Sequence, residues 1–415
     1  MNTKNYTKQN FMNREISWLA FNDRILDLAN TCWVPILERA KFLKITQSNL
    51  DEWYMIRVAN LIREVQKGDK HPDKSGLSPN TQLNQARKLV KKQLKQQNKT
   101  WTRLKNLLLV KDIKIQKYEK LTEKEKTYVD SYFFTTISPL IQIELLPKDI
   151  PWPNMNNGDM YLIVDMVSSK DPTKSIYAHF KLPSLSRIFS IPDQVNHFIL
   201  LEQILKTHYK KLIEEKFNGR FIAKNVYQYR ILKDMGLKSI PKESKNTEQS
   251  VQLALEEREN APVIFLAVDK NMPRKTLRTL TQALTVNPLN TFHLEGDWDY
   301  DFISVLCKNI VDTQKLKISD LYFKERKPYH EKKLESNEIF SAIEEDDYLL
   351  HHPYDSYNAV VNFFQQAAVD PNVEQIYVTI YRTSKNSPII KALTDASKNG
   401  KKVYALIEVK ARFDE

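Results

Sequence analysis

The chain has 415 residues, of which 41% are hydrophobic, and it carries a formal net charge of +12. This length predicts two or three domains, and two cysteines are too few for the disulfide framework of a small secreted protein. No apolar run approaches the roughly 20 residues that span a bilayer, and the polar amino terminus lacks the apolar core of a signal peptide. We therefore expect a cytoplasmic protein, and the charge leaves peripheral binding to an acidic membrane surface open.

Residues 1–110 have the apolar periodicity of a small helical bundle. Apolar residues recur at helical spacing from Trp18 to Leu28, and Pro35 suits the first turn of a second helix, VPILERAKFLKI. A third helix is predicted to begin at NLDEWYMIRVANLI, and a fourth follows the turn-rich loop GDKHPDKSGLSPN. We predict that these helices form the first domain.

The basic charge is concentrated in this region. Up to residue 110 there are 20 Lys and Arg but only 9 Asp and Glu, and the segment from Arg87 to Lys105 contains eight basic residues and no acidic one. Such a stripe suits a polyanion, which could be nucleic acid, polyphosphate or an acidic membrane. The alternative is an ordinary solvated face of the fourth helix.

Residues 111–320 mix strand and helix patterns and predict an α+β domain. The predicted strands are MYLIVDMV, SIYAHFKL, GRFIAKNVYQYRI and PVIFLAVD, and the predicted helices are VNHFILLEQILKTHYKKLIEEKF and MPRKTLRTLTQALTV. A charged connector, FKERKPYHEKKLE, then indicates a boundary before the last domain, residues 321–415.

The last domain alternates strands and helices. DYLLHH, EQIYVTIYR and KVYALIEV are predicted strands, and the intervening SYNAVVNFFQQAA and SPIIKALTDASKNG are predicted helices. In the second helix Ser387 is expected at the N-cap, Pro388 at the first position and Gly400 beyond the end. This order implies right-handed crossovers and a parallel sheet, in which ligands bind beyond the carboxyl ends of the strands.

Two arginines follow neighbouring strands of that sheet. Arg382 ends IYVTIYR and Arg412 follows YALIEVKAR, so both are expected at the same edge, where each guanidinium offers a planar fork of donors to phosphate oxygens. Surface ion pairs are the alternative role. The chain has only seven glycines and no glycine-rich phosphate loop, so a nucleotide would have to be held without one.

Four stretches together resemble the long bacterial polyphosphate kinase, the type whose carboxyl-terminal half is similar to phospholipase D. They are NREISWLAFNDRILDLA, VPILERAKFLKITQSNLDEWYMIRVANL, LLHHPYDSYNAVVNFFQQAAVDPNVEQIYVTIYRT and SPIIKALTDASKNGKKVYALIEVKARFDE. The resemblance implies a multidomain protein with a helical amino-terminal domain, an α+β head domain that mediates homo-oligomerisation, and the start of an α/β phospholipase-D-like domain.

The resemblance also implies an activity: reversible transfer of the terminal phosphate of ATP to long-chain polyphosphate through a phosphohistidine, with Mg²⁺. Asn49 matches the family position that contacts the ATP base, and Arg382 and Arg412 match two arginines at the magnesium–phosphate site. A guanidinium has no lone pair for a metal, so we expect both arginines to contact the phosphate oxygens that the metal also touches. From its local sequence, Asn49 also has the makings of an N-cap, with Glu52 three residues later.

His351 and His352 are candidate nucleophiles at the end of the predicted strand DYLLHH, where Asp355 could orient an imidazole. The resemblance instead places the phosphohistidine after the ARFDE segment, so we expect these two histidines to pack or to form hydrogen bonds.

The family's chain is longer, and by resemblance this one is expected to be truncated inside the first catalytic domain and inactive alone. One alternative is a non-catalytic module that binds polyphosphate or dimerises. The other is a nucleic-acid-binding protein that uses residues 87–105, although no recognised nucleic-acid-binding motif accompanies the charge.

Overall fold

The fold is taken from a computed structural model, and the structure describes residues 7–146, 155–236, 260–381, 383–384 and 386–407. The chain divides into two compact units, Met1–Phe323 and Lys324–Glu415. The two units are described separately below.

The first unit begins with four α-helices. They are α1 (Arg14–Asn30), α2 (Ile36–Trp53), α3 (Ala59–Gln66) and α4 (Pro79–Val110). The side chain of Asn13 accepts hydrogen bonds from two amides of the first turn of α1, and Ser78 caps α4 with Pro79 at its first position. The predicted helical region is confirmed.

One predicted helix boundary in this region is wrong. The sequence predicts a new helix near Leu50, but α2 continues to Trp53 and joins α3 through a π-helical turn, Tyr54–Val58. Residues 36–66 contain no glycine or proline, so no helix-breaking residue ends the helix near Leu50. Tyr54 and Val58, at the two ends of the π turn, are both buried.

The described residues of the first unit also form two sheets and four further α-helices, in agreement with the α+β prediction. A six-stranded sheet has the order β2-β4-β3-β7-β8-β9, with only the β8–β9 pair parallel, and a three-stranded sheet has the order β1-β6-β5. The strands are β1 (Lys114–Gln116), β2 (Glu144–Leu146), β3 (Met160–Ser168), β4 (Ser175–Lys181), β5 (Ile188–Ser190), β6 (His197–Leu200), β7 (Phe221–Lys233), β8 (Val263–Asp269) and β9 (Thr291–Leu294). The helices are α5 (Glu123–Tyr132), α6 (Leu201–Lys216), α7 (Arg274–Ala283) and α8 (Ile303–Asn309).

The long helix predicted over residues 195–217 is therefore wrong at its start. His197–Leu200 forms strand β6 and the helix begins at Leu201. All four residues of β6 are buried, because the strand lies between β1 and β5 in the smaller sheet. A short apolar run of this kind does not distinguish strand from helix by its periodicity.

The helices and the large sheet share one hydrophobic core. Tyr54, from the π turn, packs edge-on against Phe265 of β8 and Phe292 of β9, with ring centroids 4.9 and 6.1 Å apart. Tyr54 is 1% exposed, and burial raises the pKa of its hydroxyl well above the ordinary value. These contacts fix α2 and α3 against the β8–β9 side of the sheet.

The second unit contains α9 (Ile339–Glu345), α10 (Asn358–Val369), β10 (Gln375–Ile380), α11 (Pro388–Lys398) and β11 (Lys402–Ile407). The two strands pair in parallel from Gln375↔Lys402 to Ile380↔Ile407, so the predicted strand–helix–strand crossover is confirmed for this pair. The start and end of α11 are as predicted: Ser387 accepts from the Ile390 amide, Pro388 is the first residue, and Gly400 has a φ of +84°.

The predicted strand DYLLHH is wrong. Residues 346–351 have no regular secondary structure, and a turn follows. Leu349 is 95% exposed, so this apolar side chain is not buried as one in the core of a sheet would be. Leu350, by contrast, packs partly buried against the small core that contains Ile339 and Ala359.

Candidate functional site

Asn49, the predicted contact for the ATP base, lies near the carboxyl end of α2 and not at a helix start. The predicted N-cap role is therefore wrong. Its side chain is half-buried, and its Nδ2 donates to Oδ1 of Asn22 on α1 at 3.4 Å.

Asn49 is at the outer end of a buried network of amides. Asn22 is fully buried, and its Nδ2 donates to the Thr46 carbonyl oxygen at 3.1 Å and to Oε1 of Gln93 on α4 at 3.3 Å. Gln93 in turn donates to the Leu19 carbonyl oxygen at 2.7 Å. The network joins α1, α2 and α4, and buried amides of this kind are costly to leave unpaired. It therefore holds the side chain of Asn49 in one orientation.

In that orientation Asn49 retains unused hydrogen-bonding capacity. Within the described ranges, no group donates to its Oδ1, and its Nδ2 has a second hydrogen beyond the one that Asn22 accepts. An acceptor and a donor on one planar amide match the amino group and the adjacent ring nitrogen of adenine. The geometry is compatible with a base contact at this position.

A second network, which the sequence did not predict, fixes the same helix to the large sheet. Arg230 of β7 is 6% exposed and forms a bidentate pair with Asp51 of α2, with N–O distances of 2.7 and 3.1 Å. Its Nε donates to the Gly158 carbonyl oxygen at 2.9 Å and lies 3.4 Å from Oδ2 of Asp299. Gln47 also donates to Asp51, at 2.9 Å.

The network continues from Asp299 to a second buried arginine. Arg187 lies 3.5 Å from Oδ2 of Asp299 and 2.6 Å from Oε1 of Glu202 on α6. Burial opposes charge on Arg230, but Coulombic attraction to Asp51 and Asp299 outweighs it and raises the pKa of the guanidinium. Burial also disfavours the charged form of Asp51. It raises the pKa of the Asp51 carboxyl, and the attraction of Arg230 opposes that rise. The available signal in the sequence was a charged residue, Arg230, within the otherwise apolar or aromatic run Tyr229 to Leu232.

Arg382 and Arg412, the predicted phosphate-binding residues, lie outside the described residues. The strands before them are described: β10 ends at Ile380 and β11 at Ile407, and these two residues are register partners in a parallel pair. Parallel strands end at the same edge of a sheet, which is the condition on which the prediction of a shared phosphate site rests.

His351 and His352 are both exposed. The carboxylate of Asp355 accepts from the backbone amide of His351 at 2.6 Å, whereas Nδ1 of His352 lies 2.9 Å from the Asp355 carbonyl oxygen and not near its carboxylate. The suggestion that this carboxylate orients an imidazole is therefore wrong. The rings pack against Tyr354 and Tyr357, with centroids 5.1 Å apart in each case, which agrees with the predicted packing role.

The basic segment of α4 presents one outward face. Lys88, Lys91, Lys92, Lys95, Lys99 and Arg103 are exposed. Two basic residues at the margins have partners: Arg87 donates to Asn290 at 2.8 Å, and Lys105 forms an ion pair with Asp297 at 2.7 Å.

The described part of the chain shows neither a grouped set of metal ligands nor a membrane-spanning helix. No three His, Cys, Asp or Glu residues there are grouped so that they could hold a metal ion. No helix there has both the length and the apolar character needed to cross a membrane.

Comparison with protein families gives three matches in chain order. The polyphosphate kinase N-terminal domain matches residues 11–116, the middle domain matches residues 124–306, and C-terminal domain 1 matches residues 338–415. These matches do not confirm the prediction of a truncated chain, which stays a prediction.

Individual relatives agree with the family matches. A polyphosphate kinase from Lactiplantibacillus plantarum is 33% identical over 417 residues, which cover 99% of this chain and 56% of the relative. One from Exiguobacterium is 34% identical, with the same two coverages. The crystal structure of polyphosphate kinase from Porphyromonas gingivalis matches with a TM-score of 0.77 and 26% identity, over 99% of this chain and 57% of that one. The chain thus spans a little over half the length of these relatives.

Proposed function

The chain belongs to the polyphosphate kinase family, and from this premise we propose that it takes part in the reversible transfer of the ATP terminal phosphate to long-chain polyphosphate. The match of three successive domains of one enzyme family carries this proposal. In the forward direction the bond between the γ-phosphorus and the β–γ bridging oxygen breaks and ADP leaves. The phosphoryl group passes to a histidine nitrogen and then to a terminal oxygen of polyphosphate. Homo-oligomerisation through the head domain stays part of the proposal.

Within that reaction, Asn49 binds the adenine. The amide network behind it, through Asn22 and Gln93, holds the Asn49 side chain ready before the nucleotide arrives. Such preorganisation lowers the entropy cost of binding and fixes the position of the triphosphate relative to the reacting groups. The Asp51–Arg230 pair serves the same end, since it holds α2 against β7.

Arg382 and Arg412 bind the phosphate oxygens in this proposal, and Mg²⁺ accompanies the triphosphate. Magnesium commonly keeps several waters and binds substrate phosphates with few protein ligands. The metal would supply charge neutralisation on the phosphate. The two guanidiniums would stabilise the negative charge on the oxygens of the transferred group.

The assignment of Asn49 is tested by comparing ATP with inorganic triphosphate, which has the phosphates but no base. We expect Asn49→Ala to weaken ATP binding about 2- to 12-fold, the equivalent of one net hydrogen bond of about 0.5–1.5 kcal/mol. Triphosphate binding should not change. Asn106→Ala, which removes the same side chain from an exposed position on α4, is the control and should affect neither ligand.

Calorimetric titration of the purified chain measures both affinities. Equal weakening of ATP and triphosphate by Asn49→Ala would indicate a structural role and contradict the base contact. If the unaltered chain bound polyphosphate and no ATP, a non-catalytic polyphosphate-binding module would replace the proposed enzyme function.

A further inference from the structure

A groove on the first unit lies outside the residues discussed above as the nucleotide site. It runs between α4 and β9, the strand at one end of the six-stranded order, and encloses about 370 Å³. Leu94, Phe292 and Leu294 provide apolar lining, and Lys91, Lys95, Lys99 and Lys270 line it as well. We call this feature the α4–β9 groove.

Three of the lysines form a row. Lys91, Lys95 and Lys99 are four residues apart on α4, and all three are exposed. With a rise of 1.5 Å per residue, their Cα atoms follow the helix at intervals of about 6 Å, so the row is about 12 Å long. No salt bridge to any of the three occurs in the ranges that the structure describes.

The fourth lysine is paired. Nζ of Lys270 lies 2.7 Å from Oε2 of Glu295, and its hydrogen bond to that carboxylate lowers the pKa of Glu295. The pair is nearly neutral, and Glu295 is the single acidic residue among those lining the groove. The lining therefore has a net charge of about +3 with His293 neutral.

Hydrogen bonds at both ends of the groove fix the distance between its two walls, α4 and β9. The side-chain amide of Asn98 on α4 donates to the Glu295 carbonyl oxygen, and Arg87 near the other end donates to Asn290 at 2.8 Å. Between these two ties the outer side of β9 faces the lysine row. A cleft with walls of low dielectric and charge of one sign concentrates the electric field more than an open helix face does.

One polar atom in the lining lacks a partner. Oγ1 of Thr291 is buried, and no group in the described part of the chain forms a hydrogen bond with it. Thr291 lines the groove. A buried hydroxyl without a partner costs free energy, but this oxygen is enclosed by the protein and is not counted among the groups that contact the ligand.

We propose that the α4–β9 groove binds a stretch of linear inorganic polyphosphate, as a site separate from the one at Asn49. This inference rests on the proposed function, in which polyphosphate is a substrate. A row of ammonium groups suits a linear polymer with charge on every unit, because lysine acts as a mobile point charge and does not require one fixed geometry. The site would hold the polymer while its end reacts elsewhere.

The lining favours polyphosphate over single-stranded nucleic acid. Proteins that bind single strands stack the bases on accessible aromatic side chains. The one Phe, Tyr or Trp in the lining is Phe292, which is 5% exposed and packs against Phe265 at 4.8 Å. That ring is already part of the core and offers no open face for stacking.

The test compares two triple variants of the 415-residue chain. The groove variant combines Lys91→Gln, Lys95→Gln and Lys99→Gln. The control variant combines Lys88→Gln, Lys92→Gln and Arg103→Gln, which remove the same charge from exposed positions of the same helix that do not line the groove. Binding of end-labelled linear polyphosphate of uniform length is measured by fluorescence anisotropy over a range of salt concentrations.

We expect the groove variant to lose about tenfold or more in affinity at low salt. We also expect the slope of log K against log salt to become shallower by about 2, since each lost contact to a condensed polyanion removes about 0.7–0.9 from the slope. The control variant should change both quantities by less than half as much. Equal losses in the two variants, or no loss in either, would overturn the proposal.

A measurement on the unaltered protein gives a second test. Bound polyphosphate should protect Lys91, Lys95 and Lys99 from amine-reactive labelling more than Lys88 and Lys92, as quantified by mass spectrometry. Uniform protection contradicts the groove. Tighter binding of a single-stranded RNA with an equal number of phosphates, lost in the groove variant, would make this a nucleic-acid site instead.

The titrations of ATP and of inorganic triphosphate separate this inference from the proposed function. If ATP binds through Asn49 while polyphosphate binding is independent of the lysine row, the groove is refuted alone. If the chain binds no ATP, the proposed enzyme function fails, and the comparison of the two triple variants still decides whether the groove binds polyphosphate.

Discussion

Replacement of Arg230 by methionine tests whether the buried charge network fixes α2 to the large sheet. Arg230→Met keeps a long apolar stem but leaves the carboxylate of Asp51, which is 9% exposed, without its bidentate partner. Asp299 loses one of its two arginines. Removal of one partner from a buried ion pair costs about 3–5 kcal/mol, because the remaining charge stays desolvated. We expect the first unit to lose that much free energy of unfolding.

The assay is urea unfolding followed by tryptophan fluorescence. All six tryptophans precede residue 323, so their emission reports the first unit and not the second. The control is Lys124→Met, which breaks the exposed pair with Asp193 and should cost at most about 1 kcal/mol. Addition of Asp51→Asn to Arg230→Met should recover about 0.5–3 kcal/mol, because the unpaired charge is then gone. A loss below about 1 kcal/mol in Arg230→Met would refute the reasoning.

Two further predictions concern pH and phosphate binding. Burial lowers the pKa values of His179 and His197 in the folded protein, so below about pH 6.5 the unfolded state binds more protons than the folded state. The first unit should therefore lose stability as the pH falls below that value, by up to about 1.4 kcal/mol per pH unit for each histidine. Urea titrations at several pH values should give a flatter profile for the double variant His179→Gln, His197→Gln; an unchanged profile contradicts the assignment. Arg382→Lys or Arg412→Lys should weaken inorganic triphosphate binding by about tenfold, because lysine cannot replace a bidentate fork, whereas Arg326→Lys, at an exposed position, should not. Unchanged binding in both site variants would exclude these arginines from the phosphate site.

Local sequence rules predicted many of the helices and strands. The start of α11 follows from Ser387 and Pro388, and its end from Gly400, because capping and left-handed backbone depend on residue type at a single position. The apolar residues of α4 from Leu83 to Leu104 recur at helical spacing, and this face of the helix is buried. The order of strands and helices predicted Arg382 and Arg412 at one edge of the sheet, whereas the predicted role of Asn49 came from the family resemblance, because no periodicity indicates it.

Local rules were wrong where burial by distant segments decides the conformation. Asn49 has the chemistry of an N-cap, but the helix runs through it and continues past the π turn, whose Tyr54 packs against Phe265 and Phe292. β6 is a strand because β1 and β5 lie on either side of it. Leu349 is exposed although its segment was predicted to be a strand.

The sequence by itself determined the type of most elements, the concentration of charge on α4 and the family. Only the tertiary structure decided which polar groups meet. Asp51 and Arg230 are 179 residues apart in the chain, and Lys91 and Thr291 are separated by a similar distance along it, yet each pair lies in one network or groove. A helix or strand rule uses neighbours within a few residues, whereas the pairing of a buried charge or the shape of a groove depends on how distant elements pack.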